Sequence, residues 1–344
     1  MRTAVVLFNL GGPDSLAAVR PFLTNLFSDP AIIRLPQPLR WLVAQLIARR
    51  RAPLAHEIYR HLGGASPILA NTEAQARALE AELGAAFRVF IAMRYWRPLS
   101  SETAAAVKAW APDRVMLLPL YPQFSTTTTA SSVADWRRAA ARVGLTAPTR
   151  LLCCYPDDRG FIGAIAAMLA RALDETLANE PVRILFSAHG LPERIVAAGD
   201  PYRWQVEWTV AAVLAALGRS RLDAVLCFQS RVGPLAWIKP ATDDEIRRAG
   251  AERRPLIVVP IAFVSEHSET LVELDRDYGR LAEASGVPSY RRLPTVGADP
   301  LFIAGLAGEV RRLAEEGGAV RSNAGARICP LEFGGCPCAQ GRPT

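Results

Sequence analysis

The sequence has no apolar run long enough to cross a bilayer, and it has only four histidines among its 344 residues. Its longest uncharged stretch, residues 115–134, is broken by Pro119 and Pro122, so no transmembrane helix is predicted. The first apolar run ends at Asn9, too early for a signal peptide. We therefore expect a cytoplasmic protein whose six cysteines are reduced thiols or metal ligands rather than disulfides.

Lysine is also scarce, so nearly all of the positive charge is carried by arginine. The net charge is +7, from 40 Lys and Arg against 33 Asp and Glu. Such a surface serves solubility, but it also suits an anionic ligand or membrane surface, because guanidinium groups pair bidentately with carboxylates and phosphates. No long basic run is interleaved with aromatic residues, so we expect no nucleic acid partner.

Apolar runs of strand length alternate with helical patterns along the chain. The runs cover residues 4–10, 89–93, 115–120, 150–154, 182–186, 224–228 and 256–264, and helical patterns such as 73–83, 161–177 and 206–217 lie between them. This alternation favours parallel sheets flanked by helices. Short internal similarities, such as 9–13 with 188–192, suggest a duplication. We predict an α/β fold of two similar Rossmann-like domains, 1–152 and 153–315, facing each other across an active-site cleft, with a cysteine-bearing tail, 316–344.

Two of the four histidines follow apolar runs at the point where a strand should end. His189 follows the run 182–186, and His267 follows the run 256–264. The carboxyl ends of parallel strands form the crevice in which ligands bind, and imidazole is well suited to proton transfer near pH 7. A lone histidine there is as often an ordinary core residue, but the carboxylates that follow His267 favour His189 as a base.

Four carboxylates beside His267 are spaced as one face of a helix. Glu266, Glu269, Glu273 and Asp277 lie at i, i+3, i+7 and i+11. A solvated helix face is the ordinary interpretation of this pattern. However, the carboxylates begin at a strand end, and a row of oxygen ligands suits a divalent cation such as Fe²⁺ that is passed along. Neighbouring like charges also raise each other's pKa, which favours proton uptake.

Three of the six cysteines, Cys329, Cys336 and Cys338, lie within ten residues of the tail. In a cytoplasmic protein this density indicates metal ligands, and zinc and an iron–sulfur cluster fit equally well on ligand type. A fourth ligand must then come from elsewhere in the chain. Cys227 belongs to the apolar run 224–228 and is predicted to be a buried core thiol.

Six motifs, in order along the whole chain, resemble those of the ferrochelatase family, the terminal enzymes of haem synthesis. They are LFNLGGPD (7–14), YRHLGGASP (59–67), LYPQFS (120–125), SAHGLP (187–192), QSRVGP (229–234) and EHSETLVELD (266–275). The resemblance implies insertion of Fe²⁺ into protoporphyrin IX with release of two protons. A site that bends the macrocycle exposes its nitrogen atoms, which is differential stabilisation of the transition state.

The resemblance also implies residue roles. His189 would accept pyrrole protons or help to bind the metal, and Glu269 would be its partner carboxylate across the porphyrin. His267, Glu273 and Asp277 would form a metal or proton path on an irregular helix, since π-type irregularity is common at functional sites. Porphyrin contacts or pocket-mouth positions would be Arg50, Arg51, Tyr59, Ser66, Tyr95, Ser230 and Trp237. The aromatic and serine residues among them also fit an ordinary role in a core or a cap.

Residues 36–53 predict an apolar helix of about three turns that ends in Arg49, Arg50 and Arg51. An ordinary buried helix fits this pattern. In the ferrochelatase family the region forms a lip over the porphyrin pocket, and Trp41, Leu42 and Leu46 suit either the macrocycle or a bilayer interface. Peripheral membrane contact through this lip is a further expectation.

The resemblance finally implies a 2Fe-2S cluster, because some bacterial ferrochelatases combine this Cys-x6-Cys-x-Cys spacing with a mid-chain cysteine. That points to Cys153 or Cys154 together with Cys329, Cys336 and Cys338. Thr126 stands where the animal pattern has its fourth ligand. The alternatives are a coproporphyrin ferrochelatase or a cobaltochelatase of the same fold, or a non-catalytic haem or iron carrier. The resemblance leaves the oligomeric state open.

Overall fold

Two parallel β-sheets organise the chain, which a computed structural model describes over residues 1–176, 181–316 and 318–339. The first sheet contains β1 (Thr3–Asn9), β2 (Phe87–Met93), β3 (Arg114–Pro119), β4 (Thr149–Leu152) and β9 (Val320–Arg321). Its strand order is β2-β1-β3-β4-β9. Because β1 is buried on both faces, its sequence is a continuous apolar run rather than an alternating one.

The second sheet contains β5 (Arg183–His189), β6 (Asp223–Gln229), β7 (Leu256–Pro260) and β8 (Tyr290–Arg292). Its strand order is β6-β5-β7-β8, and all pairings in both sheets are parallel. In this register His189, the last residue of β5, lies beside Gln229, the last residue of β6. The strand ends therefore bring residues from separate motifs to one edge.

Helices connect the strands of both sheets. They are α1 (Val19–Phe27), α2 (Gln37–His61), α3 (Ile68–Leu83), α4 (Ser100–Trp110), α5 (Thr129–Val143), α6 (Arg159–Glu175), α7 (Glu193–Ala197), α8 (Tyr202–Leu217), α9 (Thr242–Ala251), α10 (Tyr278–Ala284) and α11 (Pro300–Glu315), with a π-helix over Glu269–Asp277. The predicted helical pattern 161–177 corresponds to α6, and its last residue lies outside the described residues.

The helices pack in layers on the sheets. The largest hydrophobic cluster joins side chains of β1 and β5, such as Leu7 and Phe186, through α3, α6, α8 and α11. A second cluster packs α4 and α5 on the first sheet, including Trp136 against Phe8. A third packs α9 and α10 on the second sheet. The predicted α/β class, with parallel sheets flanked by helices, is confirmed.

Helix α2 is longer than the three turns expected for residues 36–53, because it continues through Pro53 to His61. Its buried residues are Ala44, Ala48, Ala52 and Tyr59. The last three pack in a cluster with side chains of α1, and this packing extends beyond the proline. The opposite face is exposed. Nevertheless, none of the helices in the described ranges is long and apolar enough to cross a membrane.

The tail contributes to the first sheet. Strand β9 pairs with β4, and the backbone N–H of Cys153 donates to the carbonyl of Arg321 at 2.7 Å. The tail is thus tied to the sheet beside Cys153 and Cys154. The division into 1–152, 153–315 and 316–344 stays a prediction, and residues 317 and 340–344 of the tail lie outside the described residues.

Candidate active site

His189 lies at the carboxyl end of β5 with its side chain 39% exposed. The next residue must be glycine, because a Cβ on Gly190 would lie 2.9 Å from the carbonyl oxygen of Gln229 and 3.3 Å from the ring of Trp237. This close approach keeps the loop after β5 against β6. The imidazole is thereby held at the strand ends, where part of it remains accessible.

Glu269 begins the π-helix and contacts His189 directly. Its Oε2 lies 2.8 Å from Nδ1 of His189. The resemblance placed this carboxylate across the porphyrin from His189, and the structure corrects that expectation, since a hydrogen-bonded pair leaves no room for a macrocycle between its members. The two residues form one acid–base dyad.

His267 supports the dyad from the loop after β7. Its Nδ1 lies 3.0 Å from the carbonyl oxygen of Ser265, which can only accept, so Nδ1 carries the proton. On the other side of the ring, Nε2 lies 3.9 Å from Oε2 of Glu269. The expectation that His189, His267 and Glu269 lie together agrees with this geometry.

Charge and burial act in opposite directions on the dyad. Burial lowers the pKa of His189, but the charge and hydrogen bond of Glu269 outweigh it, so the pKa of His189 is raised above its ordinary value. Burial likewise raises the pKa of Glu269, but the attraction and hydrogen bond of His189 hold it well below its ordinary value. The arrangement therefore favours an imidazolium–carboxylate pair.

Replacing Glu269 by Gln should lower the pKa of His189. Without the carboxylate, burial is the main remaining influence, and burial disfavours the charged imidazole. His189 should then release its proton at a pH below about 6.5, the ordinary value for histidine. An NMR titration of the four histidine side chains measures this shift, with exposed His61 as an internal reference. An unchanged His189 titration would contradict control by Glu269.

Glu273 lies behind the dyad and accepts four hydrogen bonds. The donors are the Ser230 backbone N–H at 2.8 Å, the Ser230 hydroxyl at 2.5 Å, the Tyr278 hydroxyl at 3.1 Å and the Gln229 side-chain amide at 3.2 Å. Burial raises the pKa of Glu273, and the neighbouring charge of Glu269 adds to the increase against the hydrogen bonds from Ser230. This carboxyl is therefore suited to holding a proton.

The predicted acidic helix face is only partly formed. Glu266 precedes the helix and accepts hydrogen bonds from Arg292 at 2.6 Å and from the Thr295 backbone at 2.9 Å, so it points away from the dyad. Asp277 is exposed and pairs with Arg276 at 2.8 Å. The α-helical spacing does not apply to this segment, because a π-helix has i→i+5 hydrogen bonds and therefore more residues per turn than an α-helix. The structure thus joins Glu269 and Glu273 but not Asp277.

Three of the predicted porphyrin contacts lie near the dyad. Burial raises the pKa of Tyr59 to about 12 against a hydrogen bond with Ser268, and the charge of Glu269 adds to the increase, so α2 reaches the site. Trp237 covers Gly190, and its indole Nε1 is buried without a hydrogen-bond partner among the described residues. The hydroxyl of Ser230 points toward Glu273 and, at 3.4 Å, toward Glu269.

The remaining predicted porphyrin contacts lie elsewhere. Ser66 packs against Gly12, with its N–H donating to Pro13 at 2.8 Å. Arg50 is exposed, and the guanidinium of Arg51 lies 5.8 Å from the centre of the Phe27 ring.

Tyr95 was expected to be an aromatic residue of the porphyrin pocket, and the structure places it in the core instead. Only 2% of its surface is exposed, and its hydroxyl donates to Asp29 at 2.7 Å. Arg94 also binds Asp29, at 2.8 Å, which ties this segment into the core of α1 and α2. Tyr95 is therefore a structural residue in this protein.

Sequence reasoning missed two tyrosines of this region. Tyr202 begins α8, and burial together with the charges of Glu269 and Asp200 raises its pKa. Tyr278 begins α10 and donates to Glu273. Neither belongs to one of the six motifs. The only signal for Tyr202 was the preceding Asp200-Pro201, typical of a helix start.

Five cysteines converge at the end of β4. Cys153 lies 3.6 Å from Cys154 and 3.5 Å from Cys338, measured between sulfur atoms. The amide of buried Gln205 donates to the sulfurs of Cys329 at 3.1 Å and of Cys154 at 3.5 Å. In the described ranges, no three His, Cys, Asp or Glu side chains already surround a position for a single ion. Cys227 is buried in the second sheet, as predicted.

Known proteins are similar to this chain along most of its length. The family model described as ferrochelatase matches residues 2–314. Ferrochelatase from Phenylobacterium zucineum is 53% identical, with 99% of each chain covered, and ferrochelatase from Caulobacter vibrioides is 51% identical, with 99% of this chain and 98% of the other covered. Ferrochelatase from Rickettsia bellii is 47% identical, with 98% and 95% covered.

Two solved structures share the fold at low identity. SirB from Bacillus subtilis, solved with Fe³⁺, has a TM-score of 0.50 and 14% identity, covering 92% of this chain and 96% of its own. CbiX, the terminal enzyme of sirohaem biosynthesis in denitrifying bacteria, has a TM-score of 0.51 and 18% identity, covering 92% of this chain and 100% of its own. These likenesses bear on the fold alone. The matches along nearly the full length of the relatives, with the histidine–carboxylate dyad at the strand ends, place the chain in the ferrochelatase family.

Proposed function

We propose that this protein inserts Fe²⁺ into protoporphyrin IX, with release of two protons, as the terminal step of haem synthesis. The observation that carries the proposal is the dyad of His189 and Glu269, 2.8 Å apart at the carboxyl ends of the strands in a member of the ferrochelatase family. Insertion requires a base for the pyrrole protons, and an imidazole whose cation is stabilised by a carboxylate is such a base.

The dyad and the residues around it have separate roles in the proposed reaction. In its neutral form His189 accepts a pyrrole proton at Nε2, and the ionised Glu269 stabilises the imidazolium that forms, which is the charge state that the pair favours. Trp237 presents an aromatic ring beside Gly190, which suits a flat macrocycle. Binding the bent porphyrin more tightly than the planar one lowers the barrier, because bending turns the nitrogen lone pairs out of the ring plane.

The proposal is tested by anaerobic incubation of the purified protein with Fe²⁺ and either protoporphyrin or coproporphyrin. The porphyrin absorption spectrum should change to that of the metallated product over many turnovers, faster with protoporphyrin. Faster turnover of coproporphyrin would identify coproporphyrin as the substrate in place of protoporphyrin. Binding of one porphyrin per chain without turnover would instead identify a carrier, and turnover only with Co²⁺ and a corrin precursor would identify a cobaltochelatase.

We propose further that the five-thiol region holds a 2Fe-2S cluster. Its ligands would be Cys329, Cys336 and Cys338, with Cys153 or Cys154 as the fourth. The convergence of these thiols from β4 and the tail supports the proposal, as does the Gln205 amide, because hydrogen bonds to sulfur are part of cluster environments. Bound here, the cluster would supply one-electron redox chemistry or a structural tie.

The outward face of α2 supports a peripheral membrane contact. Trp41, Leu42 and Leu46 are 49%, 58% and 51% exposed, on the side opposite buried Ala44 and Ala48. Arg49 and Arg50 follow at the exposed surface. A helix with an apolar face and adjacent arginines lies in a membrane interface, and each arginine near anionic lipid contributes about 1 kcal/mol.

Vesicles of phosphatidylglycerol should therefore bind the protein through α2. Replacing both Trp41 and Leu42 by Ser should reduce cosedimentation at least tenfold, since it removes two of the exposed large apolar side chains of this helix, including its only tryptophan. Leu301→Ser is the matched control, because Leu301 is 52% exposed on α11. Equal loss with the control, or no binding by the parent protein, would contradict the membrane contact while leaving the chelatase proposal untouched.

A further inference from the structure

A fully buried glutamine of α3, Gln75, holds the loops that follow β7 and β8. Its Nε2 donates to the carbonyl of Val264 at 2.8 Å and to the carbonyl of Gly297 at 3.0 Å. Its Oε1 accepts from the hydroxyl of Ser265 at 2.9 Å. Because backbone carbonyls only accept, these contacts fix the orientation of the amide. Both N–H groups and the oxygen of Gln75 are therefore bonded to loops of the second sheet.

Asn9, the last residue of β1, extends these contacts to the first sheet. Its Nδ2 donates to the Thr72 hydroxyl at 2.9 Å and lies 3.4 Å from the Ser265 hydroxyl oxygen. Its Oδ1 accepts from the backbone N–H of Leu10 at 2.8 Å, which fixes this amide as well. Asn9, Thr72 and Ser265 are all buried. One buried polar network thus joins the carboxyl end of β1 and helix α3 to the loop after β7.

The loop after β7 leads directly to the dyad. The carbonyl oxygen of Ser265 lies 3.0 Å from Nδ1 of His267, whose backbone N–H donates to the Thr270 hydroxyl at 3.0 Å. The π-helix begins two residues after His267, at Glu269, which contacts His189. The position of Ser265 therefore sets the direction of the His267 ring and the place where the π-helix starts.

A polar side chain at position 75 is unusual for its surroundings. The neighbouring residues of α3, Ala76 and Leu79, belong to the largest hydrophobic cluster. Burying an amide costs free energy unless its hydrogen bonds are made, and an apolar side chain would fill the space without that cost. A fully bonded amide, however, specifies one arrangement of the groups that it joins, whereas apolar contacts allow several. Gln75 therefore specifies where the loop after β7 lies.

We propose that Gln75 is a positioning residue for iron insertion, which aligns His267 and Glu269 by fixing the loop after β7 to α3. This inference rests on the proposed insertion reaction and assigns no chemical step to Gln75 itself. Its described hydrogen bonds end on Val264, Ser265 and Gly297, so it acts on the dyad through the loop. Gln75 lies outside the six sequence motifs.

Gln75→Met keeps the length of the side chain but removes its polar atoms, so the loop loses three hydrogen bonds. It should reduce kcat about tenfold to 10²-fold, because a displacement of about 1 Å at a reacting group costs up to about 10²-fold in rate. The KM for protoporphyrin should stay near the parental value, because Trp237 lies on another loop and keeps its contact with Gly190.

Asn71→Ala is the matched control on the same helix. The side-chain amide of Asn71 donates to the carbonyl of Pro67 at 2.9 Å, at the start of α3, and not to a loop of the second sheet. This variant should keep the parental kcat and KM. If Gln75 only filled space, Gln75→Met would keep them too.

The ring N–H of His267 provides a measurement that does not depend on turnover. In the parent protein, this N–H donates to the carbonyl of Ser265, and both residues are buried. It should therefore exchange slowly with solvent and give a separate proton NMR signal. Gln75→Met and Ser265→Ala should each shift or broaden this signal, and Asn71→Ala should leave it unchanged.

The double variant Gln75→Met/Ser265→Ala tests whether both residues act through one network. It should be no slower than the slower single variant, because the effects of residues in one network are not additive. Circular dichroism melting, with kinetics measured well below each midpoint, separates misalignment from unfolding. If Gln75→Met does not fold, Ser265→Ala alone must show both the lower kcat and the changed His267 signal.

Parental turnover in Gln75→Met, or a His267 signal that this variant leaves unchanged, would overturn the positioning role. So would a double variant whose loss of kcat is the product of the two single losses. A parent protein that does not insert iron at all would instead overturn the proposed function, and the His267 signal would still test whether Gln75 fixes the loop.

Discussion

His189→Ala should abolish iron insertion while porphyrin still binds. The imidazole is the accessible member of the dyad at the strand ends, and nothing else in the described site contacts Glu269 as closely. Losing a positioned base costs about 10² to 10⁴ in rate, and the buried carboxylate left behind loses its stabilising partner. Steady-state kinetics should show the loss in kcat, and quenching of porphyrin fluorescence should show nearly unchanged binding.

His61→Ala is the control for this prediction. His61 is exposed near the end of α2, and its Nδ1 lies 2.8 Å from the carbonyl oxygen of Glu57, away from the dyad. It should leave both kcat and porphyrin binding as in the parent. Turnover near the parental rate in His189→Ala would remove this residue from the chemistry.

Cys336→Ser should remove the visible absorption of the purified protein and lower its stability. Cys336 is buried, and the tail around it is held by few other contacts, among them the Gly335 N–H donating to Gly199 at 3.0 Å. Where a bound metal group fixes a tail in place, the free energy of metal binding contributes directly to the free energy of folding. A loss of about 2 kcal/mol would lower the melting midpoint by roughly 4 to 8 °C in a domain of 150–250 residues.

The parent protein should be reddish-brown, and dithionite should bleach its colour. Cys227→Ala is the matched control, because it removes a buried thiol that lies in the second sheet and should retain the colour. Separate serine replacements of Cys153 and Cys154 should identify the fourth ligand, since only one of them should lose the cluster. A colourless parent with one zinc per chain would refute the cluster and leave a structural zinc site.

Much of the fold could be predicted from the sequence, because the central strands of both sheets are buried on both faces. Continuous apolar runs predicted β1, β3, β5 and β7, and the two histidines after such runs lie together as expected. The short edge strands β8 and β9 were not predicted, because they bury little surface and contain no apolar run. Edge pairing depends on tertiary context more than on local pattern.

The site was predicted less well where the position of a side chain depends on a hydrogen-bond partner that is distant in the sequence. Glu266 fits the spacing of an acidic helix face, but Arg292 binds it instead. The motif predicts Tyr95 as an aromatic residue of the pocket, but its hydroxyl donates to Asp29, which is 66 residues away along the sequence. Helical spacing assumed 3.6 residues per turn, and the π-helix breaks that assumption between Glu273 and Asp277. Each miss came from a contact that no local pattern contains.

The pairing of β9 with β4 has a consequence for the order of events during synthesis. Strand β4 leaves the ribosome early, whereas β9, its neighbour in the finished sheet, is translated long afterwards, following the whole second sheet. Until then the β4 edge has unpaired backbone groups, which makes it a site for chaperone contact or mispairing of nascent chains. The thiols at the end of β4 meet those of the tail only once β9 has docked, so the proposed cluster would be assembled only after translation.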